Sequence, residues 1–338
     1  VKQSIKSRHD LDAFSKGILS GDRIVLGQAI TMIESNLESD QKFASLLLER
    51  VLPSTGNALR IGITGVPGVG KSTFIETFGK SLINKGKKPA VLTVDPSSPI
   101  TKGSILGDKT RMDGLSKDPS AFVRPTPSSS AIGGVANKTR EAMLLCEAAG
   151  YDVIIIETVG VGQSEFAVRN MVDFFLLLIL AGAGDELQGI KKGIMEIADV
   201  VVITKADGAN EKNALEAQGM YQQALHLFSA PTSGWQPTVL TSSAVTGNGI
   251  EEVWTKIVKY TEHVKANGFF QKNRSAQNVS WFKDYFALLL KADLQKYKSL
   301  KSVQKNLEHA VSNLSITSQA AAEKLLDAYH DVLRSNKS

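Results

Sequence analysis

The chain has 338 residues, 42% of them hydrophobic and 22% charged, with a formal net charge of +5. That length accommodates about two domains, or one large α/β domain with helical additions, and the balance is ordinary for a globular protein. The single cysteine, Cys146, excludes an internal disulfide and fits a reducing compartment. The longest apolar run, Phe174 to Ala183, is about half of what a membrane span needs, and Val1 to Asp10 is polar and basic without an apolar core. Neither a membrane partner nor a secretory signal is therefore expected, and the location expected is cytoplasmic, or the mitochondrial matrix in a eukaryote.

From residue 8 to 53, apolar residues recur at helical spacing: Leu11, Phe14 and Ile18, then Ile24, Ile30, Ile33 and Leu37, broken at Gly21. Asp40 is expected to cap a helix over Gln41 to Val51 that Pro53 ends. Residues 1–55 read as a helical prefix with no chemistry of its own.

Leu59 to Thr64 reads as a strand and Thr73 to Lys85 as a helix. Between them, Gly65-Val66-Pro67-Gly68-Val69-Gly70-Lys71-Ser72 fits G-x-x-x-x-G-K-[ST] at each fixed position. The glycines let backbone N–H groups converge on phosphate oxygens, and the helix N-terminus adds partial positive charge. Gly65 to Thr73 are thus the candidate phosphate-binding residues. Lys71 is expected to reach the β- and γ-phosphates and to act in catalysis, and the Ser72 hydroxyl to ligate Mg²⁺.

Pro89 to Asp95 reads as a second strand ending in an acid, at the strand end where open α/β sheets bind ligands. Pro96 to Ser130, rich in Pro, Ser, Gly and Thr, reads as functional loops or disorder. It contains a second acid, Asp108, and a candidate arginine, Arg111. Asp95 and Asp108 are either Mg²⁺ or water ligands, or turn and cap residues; spacing leaves both open.

Glu141 to Ala149 reads as a helix, and Tyr151 to Glu157 as a buried parallel strand leading into Glu157-Thr158-Val159-Gly160. Glu157 would face Ser72 across the Mg²⁺, and the Gly160 N–H would sense the γ-phosphate. Val161 stands where Ras-like enzymes place a water-positioning Gln, and the nearest amide is Gln163, so slow unassisted hydrolysis is expected. Phe174 to Leu180 reads as a fourth strand. The stretch after it, Ala181 to Lys192, is either a mobile ligand-sensing loop, with Gln188 and Lys191 as candidate catalytic groups beside Lys192, or an ordinary βα connection.

Asp199 to Ile203 reads as a fifth strand, closing with Thr204-Lys205-Ala206-Asp207, the guanine-reading N-K-x-D pattern with Thr in place of Asn. Asp207 can accept from guanine N1–H and N2–H₂, whereas adenine offers neither donor there. Lys205 would lay its methylene stem along the base plane, and Thr204 would substitute for the bracing Asn. A sixth strand, Thr238 to Thr241, runs into Ser242-Ser243-Ala244, where the Ala244 N–H would contact guanine O6 beside Ser243. GTP and GDP with Mg²⁺ are therefore the expected ligands. Residues 56–266 form the nucleotide domain of an α/β fold with a mostly parallel central sheet flanked by helices.

From Asn267 onward the chain reads as helical again. Trp281, Tyr285, Leu288 and Leu289 share one face, as do Leu325, Tyr329, Val332 and Leu333. Such a face must be covered by the same chain or by another subunit. Lys265 to Ser338 carry 12 Lys+Arg against 6 Asp+Glu, a net +6. The charges are interspersed, as on a solvated helix surface, so nucleic acid is not an expected partner.

The Walker A stretch, Val94-Asp95-Pro96-Ser97-Ser98-Pro99, Gly103 to Met112, Glu157 to Glu165 and Gly184 to Gly193 together closely resemble the methylmalonyl-CoA mutase-associated GTPases (the MeaB/ArgK family), over nearly the whole chain. The resemblance implies a P-loop NTPase fold and a homodimer, with residues 267–338 as the dimerisation arm. It implies a chaperone for an adenosylcobalamin-dependent acyl-CoA mutase, gating cofactor loading and protecting the enzyme. It further implies Mg²⁺ contacts from Ser72, Asp95, Asp108 and Glu157, and a partner-responsive switch at Gln188 to Lys191. An older label for such sequences, an ATP-using kinase tied to basic amino-acid transport, is opposed by Thr204-Lys205-Ala206-Asp207. Metal delivery would need soft ligands in a cluster, but the five histidines are scattered and Cys146 is alone.

Overall fold

A computed structural model of the chain describes residues 8–94, 112–126, 132–158, 164–181, 192–229 and 231–335. The described strands pair into one sheet: β1 (Leu59–Gly65), β2 (Pro89–Val94), β3 (Phe122–Thr126), β4 (Val153–Thr158), β5 (Phe174–Leu180), β6 (Val200–Thr204) and β7 (Thr238–Thr241). Their order is β3-β2-β4-β1-β5-β6-β7, and each of these pairings is parallel. A parallel sheet is covered on both faces, which is why β4 and β5 are apolar at nearly every position rather than alternating. The strand order places β1 between β4 and β5, so the C-terminal ends of all three open on one edge, where such sheets bind ligands.

Strand β3 corrects the reading of residues 96–130 as loops and disorder. It is an edge strand whose Pro125 lies opposite Thr93 of β2. An edge tolerates a proline that would break a central ladder, so Arg124 and Pro125 hide the strand from any search for apolar runs. A short helix, α5 (Asp113–Lys117), precedes it in the same stretch.

The prefix folds as α1 (Leu11–Leu19), α2 (Arg23–Glu34) and α3 (Glu38–Val51). Asp10 and Asp22 cap the first two, accepting from Ala13 N–H and from Ile24 and Val25 N–H. Asp40 does not cap the third, contrary to expectation. The helix begins at Glu38, and Asp40 is buried within it, paired with Arg8 at 2.7 Å and His9 at 2.8 Å. The Arg8 guanidinium, together with Ser35 and His9, holds that carboxyl well below the usual carboxylate range.

The Walker helix is α4 (Lys71–Asn84), buried through Phe74, Ile75, Phe78 and Leu82. The remaining described helices of the nucleotide domain are α6 (Ile132–Ala148), α7 (Ser164–Arg169), α8 (Lys192–Glu196), α9 (Glu211–Leu225) and α10 (Ile250–Ala266). The opposite edge of the sheet is knotted by buried ion pairs. Arg274, on α11 (Phe269–Lys296), bonds both carboxylate oxygens of Asp173 at 2.7 and 2.6 Å and the Ala58 carbonyl at 2.6 Å, and lies 4.4 Å over the Phe270 ring. Arg60 on β1 pairs with Glu147 at 2.7 Å.

The chain divides into two compact units, Val1–Gln277 and Asn278–Ser338. In the second, α12 (Lys298–Ser312) and α13 (Ser318–Ser335) pack together, and the Tyr329 hydroxyl donates to Asp293 at 2.6 Å. Its part of α11 exposes Phe282, Tyr285, Phe286 and Leu289. No described helix is long and apolar enough to cross a membrane.

Candidate functional site

The site is built where β1 runs into α4. Gly65 closes β1 opposite Leu178 of β5, and a Cβ on it would sit 2.5 Å from the Leu178 carbonyl oxygen, so only glycine fits this close strand approach. Gly70 takes the N-cap position of α4 at φ 92°, a left-handed conformation that favours glycine. Between them Val69 turns fully into the core and anchors the loop. The Lys71 ammonium folds back over the loop, donating to the Gly65 carbonyl at 2.6 Å and to that of Val66 at 3.3 Å.

Beside the loop lies the end of β4. Ser72 and Glu157 are both buried, and the Ser72 hydroxyl donates to Glu157 Oε1 at 3.4 Å. One residue on, the Thr158 hydroxyl donates to that of Thr64 at 2.8 Å, fastening β4 to β1 at the edge that carries the site.

On the other side, the ends of β6 and β7 converge on the same loop. Thr204 is buried, and its hydroxyl donates to the Val69 carbonyl at 2.7 Å, with the Ile179 carbonyl a second acceptor at 3.2 Å. The threonine therefore ties the strand end to the Walker loop. Lys205 adopts φ 55°, a conformation rare outside glycine. It is held there by Asn210, which donates to its carbonyl at 2.8 Å, and by the Ala206 N–H, which donates to the Ser242 carbonyl at 3.1 Å. The Lys205 stem then passes over Gly70, its Cε 3.9 Å from where a Cβ would stand.

The Ser243 hydroxyl donates to Asp207 Oδ2 and accepts from the Thr246 N–H at 3.1 Å. The Ser243 N–H donates to the Asn248 carbonyl at 3.0 Å. These bonds fold the loop after β7 onto the loop after β6. The two loops and the start of α4 enclose a cavity of about 220 Å³ lined by Val69, Gly70, Thr73, Phe74, Thr204, Lys205, Asp207, Ser242, Ala244 and Val245.

Thus the structure brings together Gly65 to Thr73, Glu157, Thr204, Lys205, Asp207, Ser243 and Ala244, which the sequence distributes over 180 positions. Asp95, Asp108, Arg111, Gly160, Val161, Gln163, Gln188 and Lys191 lie outside the described residues, as does the side chain of Lys192. Two contributors were missed by the sequence reading. Thr64 is a polar residue in a strand whose partner lies 94 positions away, and Thr77 donates its hydroxyl to the Ala244 carbonyl at 2.9 Å across 167 positions. Neither belongs to a motif, so no local pattern marks them.

A parallel sheet with a Walker loop at the end of its central strand, and a base-sized cavity closed by a T-K-x-D loop, defines a P-loop GTPase. The chain belongs to the family described as methylmalonyl-CoA mutase-associated GTPase MeaB, whose sequence profile matches residues 26–298. It is 49% identical over 320 residues to a putative GTPase of Caulobacter vibrioides, covering 95% of this chain and 98% of that one. It is 53% identical over 263 residues to GTPase ArgK of Escherichia coli, covering 78% and 80%. It is 43% identical over 339 residues to the mitochondrial methylmalonic aciduria type A homolog of Mus musculus, covering 96% and 81%. A crystal structure described as a LAO/AO transport system kinase matches with a TM-score of 0.77 at 39% identity, over 97% of this chain and 100% of that one.

Proposed function

We propose that this GTPase is a G protein chaperone that gates adenosylcobalamin loading of an acyl-CoA mutase of the methylmalonyl-CoA mutase type and protects that enzyme from inactivation. The observation that carries the nucleotide half of this reading is the convergence of the Walker loop, Asp207 and Ala244 on one cavity. Family membership supports the mutase as partner.

In this reading the base lies in the cavity with Asp207 accepting from N1–H and N2–H₂, the Ala244 N–H donating to O6, and the Lys205 stem along the ring. The Walker N–H groups hold the phosphates. Lys71, whose ammonium already sits over the loop, exchanges carbonyl partners for the β- and γ-phosphate oxygens. Ser72 Oγ and Glu157 Oε1 are hard oxygen donors beside each other, the kind that Mg²⁺ takes while leaving other positions to phosphate and water. Mg²⁺ would there neutralise charge developing on the transferred phosphoryl group. Asp95 and Asp108 would supply further oxygen ligands to that metal, and the Gly160 N–H would contact the γ-phosphate. The kinase description of the solved relative names a different activity, but an adenine base would leave Asp207 facing no donor.

The exposed face of α11 supports a homodimer joined through this arm. Val161 leaves the attacking water without its usual amide, so the stimulating group comes from Gln188 or Lys191 once the mutase repositions their loop. Single-turnover GTP hydrolysis with and without a cognate mutase tests this. Lys191→Ala should keep basal hydrolysis and lose most of the stimulation. Equal stimulation of wild type, Lys191→Ala and Gln188→Ala would place the stimulating group on the mutase instead. Mutase cofactor loading that ignores GTP and GDP would remove the gating role.

A further inference from the structure

Thr77 lies outside the Walker motif, one helical turn past Thr73 on α4, and the same helix face carries both. Thr73 lines the cavity. Thr77 reaches below it, donating its hydroxyl to the Ala244 carbonyl at 2.9 Å, while its own-helix acceptor, the Thr73 carbonyl, is farther at 3.2 Å. A hydroxyl carries one proton, and the shorter bond is the one that leaves the helix.

That bond completes a clamp around one residue. On the N-terminal side of Ala244, Ser243 is held by its N–H to the Asn248 carbonyl and by its hydroxyl between Asp207 and the Thr246 N–H, and its carbonyl, in the peptide that carries the Ala244 N–H, accepts from the Gly247 N–H at 2.9 Å. On the C-terminal side the Ala244 carbonyl is held by Thr77 alone among the described bonds. The next residue, Val245, is 84% exposed and packs on little that could hold the loop in its place. The peptide that follows Ala244 therefore depends on a contact supplied by the phosphate-binding helix, and with Gly247 on the preceding peptide it sets the backbone of Ala244 from both ends.

We infer that Thr77 is a specificity-determining positioning residue: by gripping the Ala244 carbonyl it fixes Ala244 from the end that Gly247 does not hold, keeps the Ala244 N–H facing the 6-position of the bound purine, and so couples the phosphate helix to base recognition. This rests on the guanine reading of the cavity. Thr77 touches neither base nor phosphate, and its effect is confined to the contact that Ala244 makes.

The test compares Kd for GDP and 6-thio-GDP, by displacement of a fluorescent GDP analogue. The two ligands share the N1–H and N2–H₂ groups that face Asp207, but the thione sulfur is a weak acceptor for an amide N–H. Wild type should prefer GDP. Thr77→Val should weaken GDP by about three- to tenfold, the effect of one hydrogen bond, and should weaken 6-thio-GDP much less, so that the preference collapses toward 1. Thr77→Ser, which keeps the hydroxyl, should retain the wild-type preference. Thr77→Ala makes the same prediction as Val if the branched methyl is not accommodated. A wild-type preference that survives unchanged in Thr77→Val and Thr77→Ala would overturn the role of Thr77 and leave the guanine reading standing. A wild type that binds both ligands equally would remove the O6 contact itself, and Thr77's role with it.

Discussion

Thr204→Val is the sharpest probe of the junction between the two halves of the site. The substitution keeps the shape of the side chain and deletes its hydroxyl. In the structure that hydroxyl donates to the Val69 carbonyl at 2.7 Å with the Ile179 carbonyl in reach, and Val69 is fully buried. Valine leaves a buried acceptor unsatisfied, which costs about 1–3 kcal/mol. In a unit of this size that is a fall of roughly 2–10 °C in melting temperature. The second consequence separates a brace from ordinary packing. Because Val69 belongs to the Walker loop and Thr204 opens the T-K-x-D loop, loosening their bond should weaken GDP by up to about tenfold. Thr204→Ser, which keeps the donor and creates only a methyl-sized gap, should bind nearly as wild type. The assay is urea unfolding of the free protein together with calorimetric GDP titration. A Thr204→Val protein with wild-type stability and wild-type affinity would refute the bracing argument. Lost stability with unchanged affinity would leave Thr204 a core contact only.

Lys71→Ala should lower single-turnover GTP hydrolysis by about 10²–10³, since it removes the charge aimed at the developing phosphate charge; a variant that hydrolyses GTP fully would put the phosphate site elsewhere. Arg274→Met should leave the buried Asp173 carboxylate without its guanidinium and cost about 3–5 kcal/mol in denaturant unfolding; a loss under 1 kcal/mol would mean that the Arg60 N–H, which also bonds Asp173, suffices. Arg8→Ala reports on Asp40. The folded-state pKa of Asp40 is depressed, so the stability it brings is present above the ordinary value of 3.8 and is lost as pH falls below it. The gap between wild type and Arg8→Ala in urea midpoints should therefore be widest near pH 7 and narrow below about pH 4, whereas a gap constant from pH 3 to 7 would show that the pair does not depend on the carboxylate charge.

What the sequence made legible was whatever a short run of backbone has to satisfy by itself. The Walker glycines and the acid closing β4 are such features, and so is the T-K-x-D turn. Six of the seven described strands announced themselves as apolar runs because a parallel sheet is buried on both faces. The seventh, β3, did not, since an edge position admits Arg124 and Pro125. Asp40 misled for a related reason. An acid near a helix start reads as a cap, and only the fold reveals that Arg8 and His9 come to pair with it inside. Contacts between distant stretches were invisible altogether. Arg274 reaches Asp173 across 101 positions and Thr77 reaches Ala244 across 167, and neither residue type nor spacing distinguishes them from any surface arginine or helical threonine.

The central claim is that the cavity between the Walker loop and Asp207 reads guanine, and exchanging the reader tests it most directly. Asp207→Asn replaces an acceptor with a group that can also donate, so it should lose GDP affinity and gain affinity for xanthosine diphosphate, whose 2-position carries an oxygen in place of the amine. Calorimetry with GDP, xanthosine diphosphate and ADP on wild type and Asp207→Asn should show wild type preferring GDP over ADP by at least about 10², and the variant inverting the order of GDP and xanthosine diphosphate. Comparable affinities of wild type for GDP and ADP, with no inversion in the variant, would contradict the account.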